Sequence, residues 1–354
     1  MAMKRWGSKL WLVLPVLLLV VSGIVAFSII KSSGGKDKVQ AISCTGEKSS
    51  DFSCWQQHYQ AIVEDKSPEA AFVDFKSEYN TNAYVKSNCH QIGHVIGREA
   101  AKKYVTLSAT YAHGDNFCWS GYYHGAIETI AARIGPKNIV SQLNNVCVEL
   151  NKDGKYSFNY YNCVHGMGHG LMAVEGDNLF TALHGCDSYT GTWEQESCYG
   201  GVFMENVMDE INPGEHSNYL KSDDLLYPCD AANDRYKEQC YLMQTSHMLA
   251  KVNFDYQKVF DLCSSVATPY DATCYQSLGR DVSGQSSSDQ ALTVQRCMLG
   301  ATEAAKENCF TGAVKDFISY FHSDQQGLAM CKAIPDDALA SSCHDQAVEY
   351  YKSF

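Results

Sequence analysis

Histidines and carboxylates at helical spacing are the residues of this sequence best suited to chemistry. The set is three pairs, each four residues apart, and one further acid: His90 and His94, His124 and Glu128, His165 and His169, and Glu205. Residues four apart share one face of an α-helix, so each pair can offer two donors to one ion. Imidazole and carboxylate donors suit Zn, Cu or Fe. The pattern therefore predicts a transition-metal site; the alternative is a structural polar core.

Glycines crowd the same predicted helices. They are Gly93, Gly97, Gly121, Gly125, Gly166, Gly168, Gly170, Gly200 and Gly201. A glycine inside a helix costs about 1 kcal/mol relative to alanine, so some other interaction must offset it. Either the helices approach each other closely, or a ligand approaches their backbone.

Several other functions are excluded by the motifs and the charge. The sequence has no G-x-S-x-G, phosphate loop or H-E-x-x-H, which argues against a serine hydrolase, a nucleotide cofactor and a zinc protease of that class. It has no C-x-x-C or C-x-x-C-H, which excludes zinc fingers and haem c. A net charge of −12 argues against nucleic acid as a partner.

The elements that position these residues follow from the sixteen cysteines, which repeat with a period near 34 residues. One series is Cys186, Cys229, Cys263, Cys297 and Cys331; the other is Cys198, Cys240, Cys274, Cys309 and Cys343. About 34 residues make one helical hairpin of a solenoid. We therefore predict an all-α solenoid in which the second series opens each helix A and the first series closes each helix B.

The same spacing predicts how the cysteines pair. About ten residues join the end of one helix B to the next helix A, so a disulfide there staples consecutive repeats. The expected pairs are Cys44–Cys54, Cys147–Cys163, Cys186–Cys198, Cys229–Cys240, Cys263–Cys274, Cys297–Cys309 and Cys331–Cys343, with Cys89–Cys118 assigned by elimination.

This layout resembles the Sel1-like and tetratricopeptide helical repeats, especially the secreted cysteine-rich Sel1-like proteins. The resemblance covers roughly residues 54–354 and consists of the period and of one cysteine late in helix B and one early in the next helix A. It implies a right-handed helical solenoid whose concave surface binds proteins or peptides.

Residues 10–30 contain no charge and are long enough, as a helix, to cross a bilayer of about 30 Å. We predict an uncleaved transmembrane anchor; the alternative is a cleaved signal peptide. Sixteen cysteines favour an oxidising compartment for the rest of the chain. The expected single-pass protein has a cytoplasmic tail (1–9), an anchor (10–30), a tether (31–43), irregular repeats rich in histidine and glycine (44–225) and regular stapled repeats (226–354).

Two functions follow as expectations. The first is a membrane-anchored extracytoplasmic protein that binds a transition metal at the histidines, as a carrier or as an enzyme. The second is a non-catalytic scaffold that binds a protein or peptide in its concave groove.

Overall fold

The computed structural model describes residues 42–151, 157–211, 217–286, 289–321 and 323–353. Within these ranges the chain is all α, with two short 3-10 helices and no β-strand, as predicted. The expected cytoplasmic tail, the anchor at 10–30 and most of the tether lie outside the described residues. Among the helices that are described, none combines the length and the apolar character needed to cross a membrane.

The helices of these ranges have between 5 and 20 residues. They are α1 (Phe52–Asp65), α2 (Pro68–Thr81), α3 (Ala83–Ser87), α4 (Cys89–Tyr104), α5 (Leu107–Tyr111), α6 (Gly121–Ile134), α7 (Pro136–Val146), α8 (Phe158–Val174), α9 (Leu179–Cys186), α10 (Thr192–Ile211), α11 (Asp234–Lys251), α12 (Tyr256–Ser264), α13 (Tyr270–Gln285), α14 (Gln290–Cys297), α15 (Glu303–Phe321), α16 (Gln325–Lys332) and α17 (Asp337–Ser353).

Nine of these helices form a continuous row, and we call them the A helices: α1, α4, α6, α8, α10, α11, α13, α15 and α17. Each packs against the next one in the row. The B helices α2, α7, α9, α12, α14 and α16 each pack against a neighbouring A helix. This is a helical-repeat arrangement, and it places α4, α6 and α8 side by side.

Local sequence explains where the B helices begin. Ser67 accepts a hydrogen bond from the backbone of Ala70, and Pro68 occupies the first helical position of α2. Asn178 and Asp289 cap α9 and α14 in the same way. Such caps satisfy backbone N–H groups that have no partner inside the helix.

The repeats differ from the prediction in two places. Between α10 and α11, residues 217–233 form turns, so Cys229 does not close a helix B. The A helices also begin before the cysteines of the second series, as α10 does at Thr192 and α15 at Glu303. A disulfide only requires its two Cα atoms to lie about 5.5 Å apart, so the helix start is free to precede the cysteine.

All sixteen cysteines lie in eight pairs at disulfide distance, with Cα atoms 5.4–5.9 Å apart. These are the eight pairs that the spacing predicts, including Cys89–Cys118. None of the cysteines is free. The disulfides therefore join neighbouring segments of the chain and not distant ones.

Trp119 connects distant repeats. The indole N–H of Trp119, in the loop before α6, donates to Oδ1 of Asp316 on α15 at 3.2 Å, and its ring lies 5.9 Å from that of Tyr320. The row of A helices is therefore curved, because the loop before its third member reaches its eighth.

Candidate metal centre

Five histidines of α4, α6 and α8 converge in the interior of the helix row. They are His90, His94, His124, His165 and His169, each at most 7% exposed. The centroids of neighbouring imidazole rings lie 4.4–5.6 Å apart. The helical spacing read from the sequence therefore produces a single cluster, which we call the histidine centre.

Glycine at the helix contacts brings these histidines together. A Cβ atom at Gly125 would lie 2.1 Å from the carbonyl oxygen of His94, and one at Gly201 would lie 1.9 Å from that of His165. No side chain fits at such distances, so the helices touch through their backbones. Of the two explanations for the glycines, close helix approach is the one found here.

His90 and His94 face each other through their Nε2 atoms, which lie 3.0 Å apart. Nδ1 of His90 donates to the carbonyl oxygen of Cys118 at 3.0 Å. Nδ1 of His94 lies 2.6 Å from Oε1 of Glu128. In both rings Nδ1 therefore lies against an acceptor oxygen, and Nε2 lies on the inner side.

His169 shows the same orientation. Its Nδ1 lies 2.5 Å from Oε2 of Glu205 on α10, while its buried Nε2 has no hydrogen-bond partner. A carboxylate behind a histidine is the usual way in which proteins orient a metal-binding imidazole. Glu205 therefore contacts the ring that would bind the metal.

The remaining two histidines, His124 and His165, pack against the ring of His169. The ring of His124 stacks on that of His169 with centroids 4.4 Å apart, and its buried Nδ1 has no hydrogen-bond partner. Nε2 of His165 lies 3.4 Å from the sulfur of Met204. Unpartnered buried nitrogens are costly, and a bound cation would remove that cost.

Burial keeps four of the five imidazoles neutral. It lowers the pKa of His90 to about 3 and that of His165 to about 4. It also lowers the pKa values of His124 and His169 well below the ordinary range. A neutral imidazole is the form that binds a metal ion, so the centre is ready to bind at neutral pH.

Glu128 brings a negative charge to the centre. Burial raises its pKa, but the positive charges of His94 and Arg98 outweigh burial and lower the pKa to about 2. Arg98 donates to Oε2 at 2.8 Å. Glu128 is therefore ionised, with Oε1 on the side of the histidines.

Three overlapping groups of side chains bring their donor atoms within 4.8 Å of one another. They are His90, His94 and His124; His124, His165 and His169; and His94, Glu128 and His169. Six of the seven residues expected from the sequence belong to these groups. In the groups found among the described residues, Glu205 does not take part; it contacts Nδ1 of His169.

Three contributors to the centre were missed by the sequence analysis. They are the Cys118 carbonyl, Arg98 and Met204. Arg98 stands four residues after His94, so the helical spacing that revealed the histidines could also have revealed it. The carbonyl of Cys118 left no signal, because it depends on a loop in which Cys118, Trp119 and Ser120 have positive φ angles.

A cavity of about 230 Å³ adjoins the centre. His165 forms part of its wall, together with Tyr161, Trp193, Glu196 and Ser197. Trp193 is 37% exposed, so this cavity lies near the surface. Of the five histidines, His165 is the one that borders this cavity.

No family model, curated protein or solved structure was found to match the chain. The resemblance to Sel1-like repeats therefore stays a prediction, and the evidence for function is the histidine centre itself.

Proposed function

We propose that the protein is a membrane-anchored, extracytoplasmic helical solenoid that binds a transition-metal ion at the histidine centre. The anchor at 10–30 and the extracytoplasmic location rest on the sequence. The metal rests on the arrangement of the imidazoles.

The observation that carries the proposal is the convergence of buried donor atoms. Three groups of three side chains each bring their donor atoms within 4.8 Å of one another. Two of the nitrogens, Nε2 of His169 and Nδ1 of His124, are buried and have no hydrogen-bond partner. A buried nitrogen without a partner is costly, and a bound metal ion would remove that cost.

The donor chemistry indicates which ions fit. Two nitrogens on a tetrahedral zinc ion, each about 2.0–2.1 Å from the metal, stand about 3.3 Å apart. The Nε2 atoms of His90 and His94 lie at a similar distance, 3.0 Å. Imidazoles with one carboxylate suit Zn, Cu or Fe, whereas Mg and Ca prefer oxygen donors. A metal held by three protein donors acts as a Lewis acid at its open position, so both a carrier and an enzyme are compatible with the site.

A scaffold that binds a protein or peptide in a concave groove is the second candidate. We rank it lower because Trp119 contacts Asp316 and Tyr320 of α15, so the chain itself occupies this part of the curved row.

Elemental analysis of the purified full chain tests the proposal, after loading with Zn, Cu or Fe and removal of free metal. We expect bound metal in the native sequence and its loss in the double variant His94→Ala/His169→Ala. The matched control is His344→Ala, whose side chain is 59% exposed. Native protein that takes up none of the three metals, or a folded double variant that still retains them, would contradict the proposal. Circular dichroism reports whether the variants fold.

A further inference from the structure

The histidine centre contains more donors than one metal ion uses. Five imidazoles and the Glu128 carboxylate are brought together, and all six belong to groups able to hold an ion. A structural zinc site uses four protein ligands, and a catalytic one uses three with a water. One ion would therefore leave at least two buried donors unused.

We infer that the centre binds two metal ions, an inference that rests on the proposed function. The first ion uses His90, His94 and His124; the second uses His165, His169 and His124. These two groups share only His124. Each provides three nitrogens within 4.8 Å of one another, the number of protein ligands at a catalytic zinc site.

The ring contacts support two positions. His124 adjoins His90 at 5.3 Å and His165 at 5.0 Å between ring centroids. The two nitrogens of an imidazole point in different directions, so one ring can serve an ion on either side once its N–H proton is lost. Binding of the second ion would therefore release one proton from His124 to solvent. The centre is thus built around His124, with one pair from α4 and one pair from α8.

Charge also permits a second ion. The Glu128 carboxylate lies beside His94 inside the centre, and the Glu205 carboxylate lies behind His169. Two carboxylates beside two divalent ions reduce the repulsion between the metals.

Counting bound zinc in the full chain tests the inference. We expect about two ions per chain in the native protein and about one in either His90→Gln or His165→Gln, because each variant disrupts one group only. The control His344→Ala should keep both ions. One ion in the native protein would overturn the inference and leave the proposed function standing, whereas no ion would overturn both.

A second measurement needs no variant. In native protein loaded with Cu²⁺, two neighbouring ions should couple magnetically, and electron paramagnetic resonance should show a half-field signal at full loading. The signal should be weak at half an ion per chain. A spectrum of isolated copper at every loading would overturn the inference even if the variants fail to fold.

Discussion

At the scale of single residues, three histidines share one orientation. The Nδ1 atoms of His90, His94 and His169 lie against acceptor oxygens, and their Nε2 atoms face inward. The acceptors have different origins: a backbone carbonyl and two carboxylates. Such outer contacts hold the ring in place and influence metal affinity through its orientation.

Glu205 gives the sharpest prediction of this kind. Glu205→Gln should weaken zinc binding by about 10–100-fold, because an amide orients the His169 imidazole less strongly than a carboxylate does. Competition with a chromophoric chelator measures the change. Glu303→Gln, at an exposed position on α15, is the control and should bind as the native protein does. Complete loss of zinc from folded Glu205→Gln protein would instead make Glu205 a direct ligand.

Lowered histidine pKa values make the metal-free fold sensitive to acid. In the folded chain the pKa values of His90 and His165 lie below the ordinary 6.5, so between those values the unfolded chain binds more protons. The free energy of unfolding should therefore decrease as pH falls from 6 to 4.5, by up to about 1.4 kcal/mol per pH unit for each histidine.

The double variant His90→Gln/His165→Gln should show a weaker pH dependence than the native chain. Urea unfolding at pH 6 and pH 4.5, with a chelator present and the disulfides intact, measures the difference. Asp316 acts in the opposite direction, because burial raises its pKa to about 6, but it is common to both proteins and cancels. Equal pH dependence in the two proteins would show that these histidines are not the cause.

The sequence predicted the members of the centre better than their roles. Spacing of four residues places His90 with His94 and His165 with His169, because that spacing depends only on the geometry of one helix. The role of Glu205 depends on the rotation of α10 against α8, which no local pattern reports. Glu205 was expected among the ligands, and the structure places it against Nδ1 of His169, outside the three donor groups.

At the scale of helices, the centre depends on how closely α4, α6 and α8 approach. Their backbones touch at glycines, and this contact brings imidazoles from three helices within reach of one another. Helix axes usually lie 8–10 Å apart, with the distance set by the side chains at the contact. Small residues at the contact therefore have a functional consequence here and not only a packing one.

Gly125→Ala should separate α4 from α6. The added Cβ would lie 2.1 Å from the His94 carbonyl oxygen, a backbone atom that cannot move without its helix. Overpacking of this kind costs about 1–3 kcal/mol, and it should weaken zinc binding as well. Gly284→Ala is the matched control, because its Cβ would meet no atom closer than 3.4 Å. Thermal unfolding and zinc competition measure both effects, and an unchanged Gly125→Ala protein would refute the argument.

The alternation of A and B helices was predictable from cysteine period and helix caps, since both are local. The turns at 217–233 were not, because Cys229 keeps the period although the helix is missing. The short helices α3 and α5 left no periodic signal, as each has only five residues. Cysteine spacing thus reports the path of the chain between repeats more reliably than it reports helix ends.

At the scale of the whole molecule, the interiors of the two halves contain different polar residues. The donors of the centre lie on α4, α6 and α8, while the corresponding interior of the second half holds a polar network in which Thr245 and Ser246 donate to Asp281. Arg280 pairs with that same carboxylate. The contact between Trp119 and Asp316 connects the halves, but the packing of each repeat is mainly with its neighbours.

This division predicts different effects for two disulfides. Cys297→Ala/Cys309→Ala opens a staple with a sequence separation of 12, and Cys147→Ala/Cys163→Ala opens one with a separation of 16. Each should lower the free energy of unfolding by about 3 kcal/mol, because both loops are of similar length. Only the second pair should weaken zinc binding, since Cys163 lies two residues before His165 on α8 and repeats couple mainly to their neighbours. Urea unfolding and zinc competition measure the two quantities separately. Equal loss of zinc affinity in both proteins would mean that the repeats act as one unit and that the centre depends on all of them.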